Sequence, residues 1–219
     1  MKVAVDLFRA EIMATLKTVG EYQLRMEQQL ALLRETKDAL LRAACEHWEE
    51  LNAQRSNHEW TFVHLFPRCF RYSFVIFLYS VIEAELISLC TEFSRRRKIP
   101  SLNLHGKKFC LERCKPFLFK TIGIESGKPL AWNKLTVLEK VRNCISHAGG
   151  VIEDSKDKKF LKEATRAGIG IAISKHTISI GRLDIAPEFC KDSTDAAIEF
   201  FSAVFERGGF GSETAKVAR

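Results

Sequence analysis

Residues 141–150 read VRNCISHAGG, and they concentrate four groups that can handle a phosphate ester. On a helical wheel at about 100° per residue with Arg142 at zero, Ser146 falls near 40°, Asn143 near 100° and His147 near 140°. Val137, Leu138, Val141 and Ile145 share the opposite arc, so one side of this helix is core and the other polar. A guanidinium offers a planar, permanently charged fork that matches phosphate oxygens. Imidazole exchanges a proton near neutral pH, and Asn143 lies four residues before His147, close enough to orient it. Phosphoryl transfer needs charge stabilisation on phosphorus and proton transfer at the attacking and leaving oxygens. RNA brings its own nucleophile, the 2′-hydroxyl, so these groups suffice without a metal or cofactor. A plain amphipathic helix ending in histidine ahead of two capping glycines accounts for the same residues.

Other residues could serve the same chemistry. Glu83 and Glu85 sit in the apolar run SVIEAELISLC (80–90), and a carboxylate in such surroundings needs a partner, for which Arg142 and Lys140 are the candidates. Arg95, Arg96, Arg97 and Lys98, with Lys107 and Lys108 beyond a loop containing Pro100 and Gly106, form a basic cluster suited to backbone phosphates. The histidines at 47, 58, 64, 105 and 176 are scattered without ligand spacing, so no metal site is expected. Cys110 and Cys114 lie four apart without a matching second pair, which points to core thiols. The glycines at 149 and 150 end a helix, where carbonyls rather than amides point outward, so they form no phosphate-cradling loop.

The elements that must position these groups are mostly helical. The 219 residues are 46% hydrophobic, enough for one sizeable core with an appendage. Thirty-four Lys and Arg against 27 Asp and Glu give a net charge of +7, which favours polyanionic partners. Seven cysteines, an odd number, suit free thiols in a reducing cytoplasm. No secretory signal is evident at the start, and the run at 74–90 reads as too short for a bilayer span, so a soluble cytoplasmic protein is expected.

Residues 3–56 contain no proline and are rich in strong helix formers. Leu30, Leu33, Leu40, Ala44, Trp48 and Leu51 mark an apolar stripe that needs the body of the protein or a second copy to cover it. Residues 56–67 read as a linker closed by Pro67, and 68–97 as a helix apolar nearly all round. A shorter helix over 107–123, kinked or split at Pro116, precedes the helix at 131–148. Then the period changes: Ile169, Ile171 and Ile173, then Ile178 and Ile180, alternate around SKHT, which predicts a β-hairpin at about 168–182. A last helix follows, N-capped at Asp192 or Ser193, with an apolar face of Ile198, Phe201, Val204 and Phe205. The expected organisation is an all-α bundle over 68–209 with that hairpin before the last helix, a helical arm over 1–57, and a tail over 210–219.

RNCISH, an Arg-Asn pair followed by three residues and His near the end of an amphipathic helix, resembles the signature of the HEPN (higher eukaryotes and prokaryotes nucleotide-binding) superfamily. The earlier apolar helix with its acidic pair at 83 and 85 is similar to the helix that precedes the motif helix in HEPN bundles. The resemblance implies a metal-independent endoribonuclease, a toxin or antiviral effector, working as a homodimer whose two motif helices face each other across one composite site. It assigns His147 as general base or acid, Arg142 to the scissile phosphate and Asn143 to positioning RNA or His147; Ser146 is only a neighbour. RNA and a homodimeric copy are the implied partners, together with an antitoxin or defence-system protein, and no membrane. A non-catalytic HEPN-like subunit of such a complex is the alternative.

Overall fold

The computed structural model describes residues 6–44, 48–102, 111–121 and 129–208. The architecture is mainly helical, with a two-stranded antiparallel hairpin before the last helix. In chain order the elements are α1 (Leu7–Ala44), α2 (Trp48–Glu59), a π-helical stretch (Trp60–Leu65), α3 (Phe66–Arg97) and α4 (Leu111–Pro116) with a π-helical continuation (Phe117–Thr121). After these come α5 (Pro129–Ala148), α6 (Lys158–Arg166), β1 (Ile171–Ile173), a 3₁₀ turn (Thr177–Ser179), β2 (Leu183–Ile185) and α7 (Pro187–Gly208).

The chain folds into two compact units, and α1, α3, α5 and α7 each give residues to both. The first unit is Met1–Val19, Phe77–Lys140 and Asp192–Arg219; the second is Gly20–Ile76 and Val141–Lys191. The start of the long N-terminal helix therefore belongs to a core rather than to an arm.

In the first unit, Ile12 and Leu16 of α1, Leu78, Ile82, Leu86 and Leu89 of α3, Leu135 and Leu138 of α5 and Phe201 and Phe205 of α7 are buried at three- and four-residue spacing. Aromatic rings join the helices: Trp132 lies 5.4 Å from Phe200, and Phe8 meets Phe205 edge-on at 6.3 Å. A buried polar contact crosses this core, the Tyr79 hydroxyl donating to Glu139 at 2.8 Å. Cys90 and Cys114 are buried here with their thiols in hydrogen-bonding contact, which together with burial pushes the Cys114 thiol up.

The second unit has the shorter elements. Ile152, Leu161 and Ala164, Ile171, Leu183 and Ile185, and Phe189 form its core with Phe74 and Val75 of α3 and Val141, Cys144 and Ile145 of α5. The hairpin pairs Ile171 with Ile185 and Ile173 with Leu183. Arg71 ties three elements together, forking onto both oxygens of Glu27 at 2.8 Å and donating to the Ile185 carbonyl at 3.0 Å.

Several sequence expectations are corrected. Residues 56–67 are no linker: α2, the π-helical stretch and α3 run on without a break, and Pro67 sits in the first turn of α3. Proline has no N–H and crowds the carbonyl four residues back, so the helix widens before it, the Phe66 N–H reaching the Thr61 carbonyl five residues back. The second strand is 183–185, not 178–180, because Gly181 (φ +79°) and the Ser174–Ser179 hydroxyl contact at 2.8 Å spend residues 174–182 on a turn. Ile178 and Ile180 are 68% and 73% exposed there. The last helix begins at Pro187 rather than at Asp192 or Ser193, since proline's fixed φ and missing N–H suit a first helical position. Helix α6, with Leu161 and Ala164 turned inward, is an element the patterns above do not announce.

The helical stretch 54–97 is long and apolar enough by length and composition to cross a membrane, longer than the 74–90 run suggested, and 44% of its most apolar window is buried inside the protein. Of the predicted apolar stripe, Leu33 and Leu40 are exposed and Leu30 is half-buried, and the side chains of Ala44, Trp48 and Leu51 lie outside the described residues. Pro116 ends α4 and the helix passes into a π turn, in keeping with a split there; residues 107–110, 122 and 123 and the tail 210–219 lie outside the described residues.

Two measurements check this packing. Tyr79→Phe leaves a buried Glu139 oxygen without its donor and is expected to lower the urea unfolding free energy by about 1–3 kcal/mol. The Glu92 carboxyl is pulled down to about 2, first by hydrogen bonding from Arg95 and, against partial burial, also from Arg96. Its folded value lies below the ordinary 4.5, so its contribution is present above pH 4.5 and is lost as pH falls from there through about 2. Glu92→Gln is therefore expected to be less stable than the parent at neutral pH and to converge with it in acid titrations followed by circular dichroism.

Candidate functional site

The motif residues occupy the last turn and a half of α5, within the second unit. Val141, Cys144 and Ile145 are buried, Arg142 and Asn143 are half-buried, and Ser146 and His147 are exposed. The polar arc drawn from the sequence is thus the outer face of the helix. Arg142 donates from Nη1 to the Asn143 side-chain carbonyl at 3.0 Å. Asn143 therefore steadies the guanidinium rather than the imidazole, and among the described residues no hydrogen bond restrains the His147 ring. Beneath the patch, Cys144 donates to the Val151 carbonyl at 3.7 Å, and burial pushes its thiol up.

Two left-handed glycines end the helix. Gly149 (φ +57°) and Gly150 (φ +83°) turn the chain back, and the Gly150 N–H closes onto the Cys144 carbonyl at 3.1 Å, taking up a carbonyl that the helix end leaves open. A Cβ on Gly150 would stand 2.1 Å from the Tyr72 hydroxyl, so no other residue fits. Tyr72 in turn donates to the Leu183 carbonyl at 2.7 Å, and burial pushes its hydroxyl well above the ordinary tyrosine range, keeping it a neutral donor. The Gly150 carbonyl accepts from Leu183 N–H, the Gly181 carbonyl accepts from Ile152 N–H, and Arg182 donates to the Gly149 carbonyl at 2.6 Å. The segment after the motif thus pairs with the hairpin, and Arg182 sets a cation at the negative end of α5.

Of the other residues singled out from sequence, Glu83, Glu85 and Lys140 belong to the first unit. Burial, and then the charge of Glu11, hold the Glu85 carboxyl above the usual range. Arg95, Arg96 and Arg97 form the last turn of α3, and all three are engaged. Arg95 and Arg96 share Glu92, Arg96 also takes Asp6 at 2.7 Å, and Arg97 donates to the Gly208 carbonyl. Lys98 follows with a positive φ of 53°. Lys107 and Lys108 lie outside the described residues.

One grouping has no linear signature. Trp60, His64 and His176 come together although His176 is more than a hundred residues further along the chain, the indole and the His176 ring stacking at 4.4 Å. No spacing rule could have found it, because it depends on the hairpin turn folding back over the π-helical stretch. Among the described residues no group of three or more metal-ligating side chains occurs.

No protein-family model matches the chain, and no curated protein or solved structure matches it either.

Gly150→Ala forces a Cβ into Tyr72 at a left-handed φ and is expected to destabilise the fold by about 2–4 kcal/mol. Gly149→Ala, which meets only the Arg182 guanidinium at 3.4 Å, is expected to cost about 1–2 kcal/mol for its φ alone. Paired denaturant titrations test this ranking, and equal losses would contradict the Tyr72 contact.

Proposed function

We propose that this chain is a metal-independent endoribonuclease of HEPN type, a cytoplasmic toxin or antiviral defence effector that acts as a homodimer. The observation that carries the reading is the outer face of α5. There half-buried Arg142 and Asn143 and exposed Ser146 and His147 share one polar arc on a helix end that Gly149, Gly150, Tyr72 and the hairpin hold in place. The resemblance of RNCISH to the HEPN signature supplies the reaction.

In that reaction the RNA 2′-oxygen attacks phosphorus while His147 takes its proton. The bond from phosphorus to the 5′-oxygen breaks, and the leaving oxygen takes a proton from the second copy's motif histidine, giving a 2′,3′-cyclic phosphate and a 5′-hydroxyl. Arg142 stabilises the charge on the phosphoryl oxygens, and Asn143 keeps the guanidinium in place. Ser146, exposed beside them, is a neighbour of the site.

A second reading is favoured by the exposed side chains of α1. Leu24, Leu32 and Leu40 are each more than half exposed, which suits a docking helix of a non-catalytic subunit in a defence or toxin–antitoxin complex.

Purified protein is expected to cut RNA to cyclic-phosphate ends in the presence of a chelator. Arg142→Ala and His147→Ala are expected to slow it by about a hundredfold or more while leaving the helical circular dichroism unchanged. Expression of the parent should arrest growth, and either substitution should relieve it. No cleavage by the parent, or variants that cut as well as the parent, overturns the nuclease; growth indifferent to both substitutions favours the docking subunit.

A further inference from the structure

Trp60, His64 and Arg68 follow one another at four-residue steps through the π-helical stretch into α3, and the turn between β1 and β2 lays His176 on Trp60 and His64. The His176 ring stacks on the indole at 4.4 Å with 26° between planes. His64 lies 4.8 Å from His176 and 5.8 Å from Trp60, and the Arg68 guanidinium stands 5.5 Å from the Trp60 centroid.

What distinguishes this cluster is a surplus of donors. Arg71, one turn further along α3, is saturated by Glu27 and the Ile185 carbonyl. Arg68 makes no hydrogen bond or ion pair among the described residues, and its Nε is buried with no acceptor. The nearby Tyr72 hydroxyl is itself committed as a donor to Leu183. In His176, Nδ1 accepts from the Ile178 N–H, which puts the ring proton on Nε2, and the His64 ring makes no hydrogen bond among the described residues. A buried guanidinium N–H without an acceptor is costly, and here the guanidinium stands over the indole on which His176 stacks, with no bonded carboxylate among the described residues.

We infer that Arg68, His64 and His176, walled by Trp60, form a phosphate-binding site separate from the Arg142 and His147 patch. A tetrahedral phosphate supplies acceptors on several sides at once, which a planar carboxylate cannot, and the guanidinium fork matches two of its oxygens. A nucleobase is disfavoured as the occupant because His176 already stacks on the indole. The phosphate is either that of a small molecule or a phosphodiester of RNA. The site does not depend on the nuclease reading, since none of its residues belongs to that motif.

Indole fluorescence of the full chain reads the site directly, with Trp60→Phe separating its signal from Trp48 and Trp132. Inorganic phosphate, a 5′-mononucleotide and a short single-stranded RNA are titrated in turn against chloride of equal ionic strength. The expected result is a saturable change with phosphate that chloride does not reproduce, that vanishes in Trp60→Phe, and that needs about tenfold more phosphate or higher in Arg68→Gln and in His176→Gln. Saturation by RNA at far lower concentration, with phosphate competing, assigns the phosphodiester source; phosphate binding that RNA does not compete for assigns the small-molecule source. Equal responses to phosphate and chloride in the parent overturn the site, as does Arg68→Gln binding phosphate as tightly as the parent. Because the parent comparison decides by itself, a variant that fails to fold does not rescue the proposal.

Discussion

The second unit depends on one steric condition: the backbone at residue 150 must carry no side chain, because the Tyr72 ring lies where a Cβ would be. Given that contact, the chain leaves α5 in a left-handed turn, residues 150–152 reach the hairpin, and Tyr72 itself is anchored on Leu183. The register of the hairpin and the end of the motif helix are therefore set together. A bulkier residue at 150 would disturb both, and with them the direction in which Arg142 and His147 face solvent.

Arginines do much of the remaining positioning, and their partners divide them by role. Arg71 and Arg182 satisfy carbonyls that the hairpin and α5 leave open, and Arg71 also neutralises Glu27. In the first unit Arg96 bridges Glu92 and Asp6, fastening the start of α1 to the end of α3. These cations are consumed by the fold. The surplus positive charge that suggested a polyanionic partner thus cannot be assigned to the arginines of the 95–98 run, which are already engaged.

Much of the helical order was legible because its signals are local. The apolar arc of 131–148, the glycine stop at 149 and 150, and the inward face of Phe201, Val204 and Phe205 follow from helical periodicity and from the left-handed conformation that glycine tolerates. The misreadings share a cause. Pro67 looks like a breaker in one dimension, yet a first-turn position needs no N–H from it, and a π-helical widening absorbs the crowding ahead of it. The isoleucine alternation over 178–180 suggested a strand, but three-residue strands are held by their partners, and Leu183–Ile185 offered the buried side chains that Ile178 and Ile180 do not.

The sequence alone determined that this protein is a helical bundle with a small hairpin, and that one helix ends in a convergent Arg-Asn-Ser-His face before two glycines. Those are consequences of spacing along one chain. Only the tertiary structure decided that Asn143 steadies Arg142 rather than His147, that Gly150 is pressed against Tyr72, and that Trp60 lies between the His176 ring stacked on it and an arginine whose Nε has no acceptor among the described residues. Each of these joins atoms whose distance depends on rotamers or on segments far apart in sequence, which periodicity does not encode.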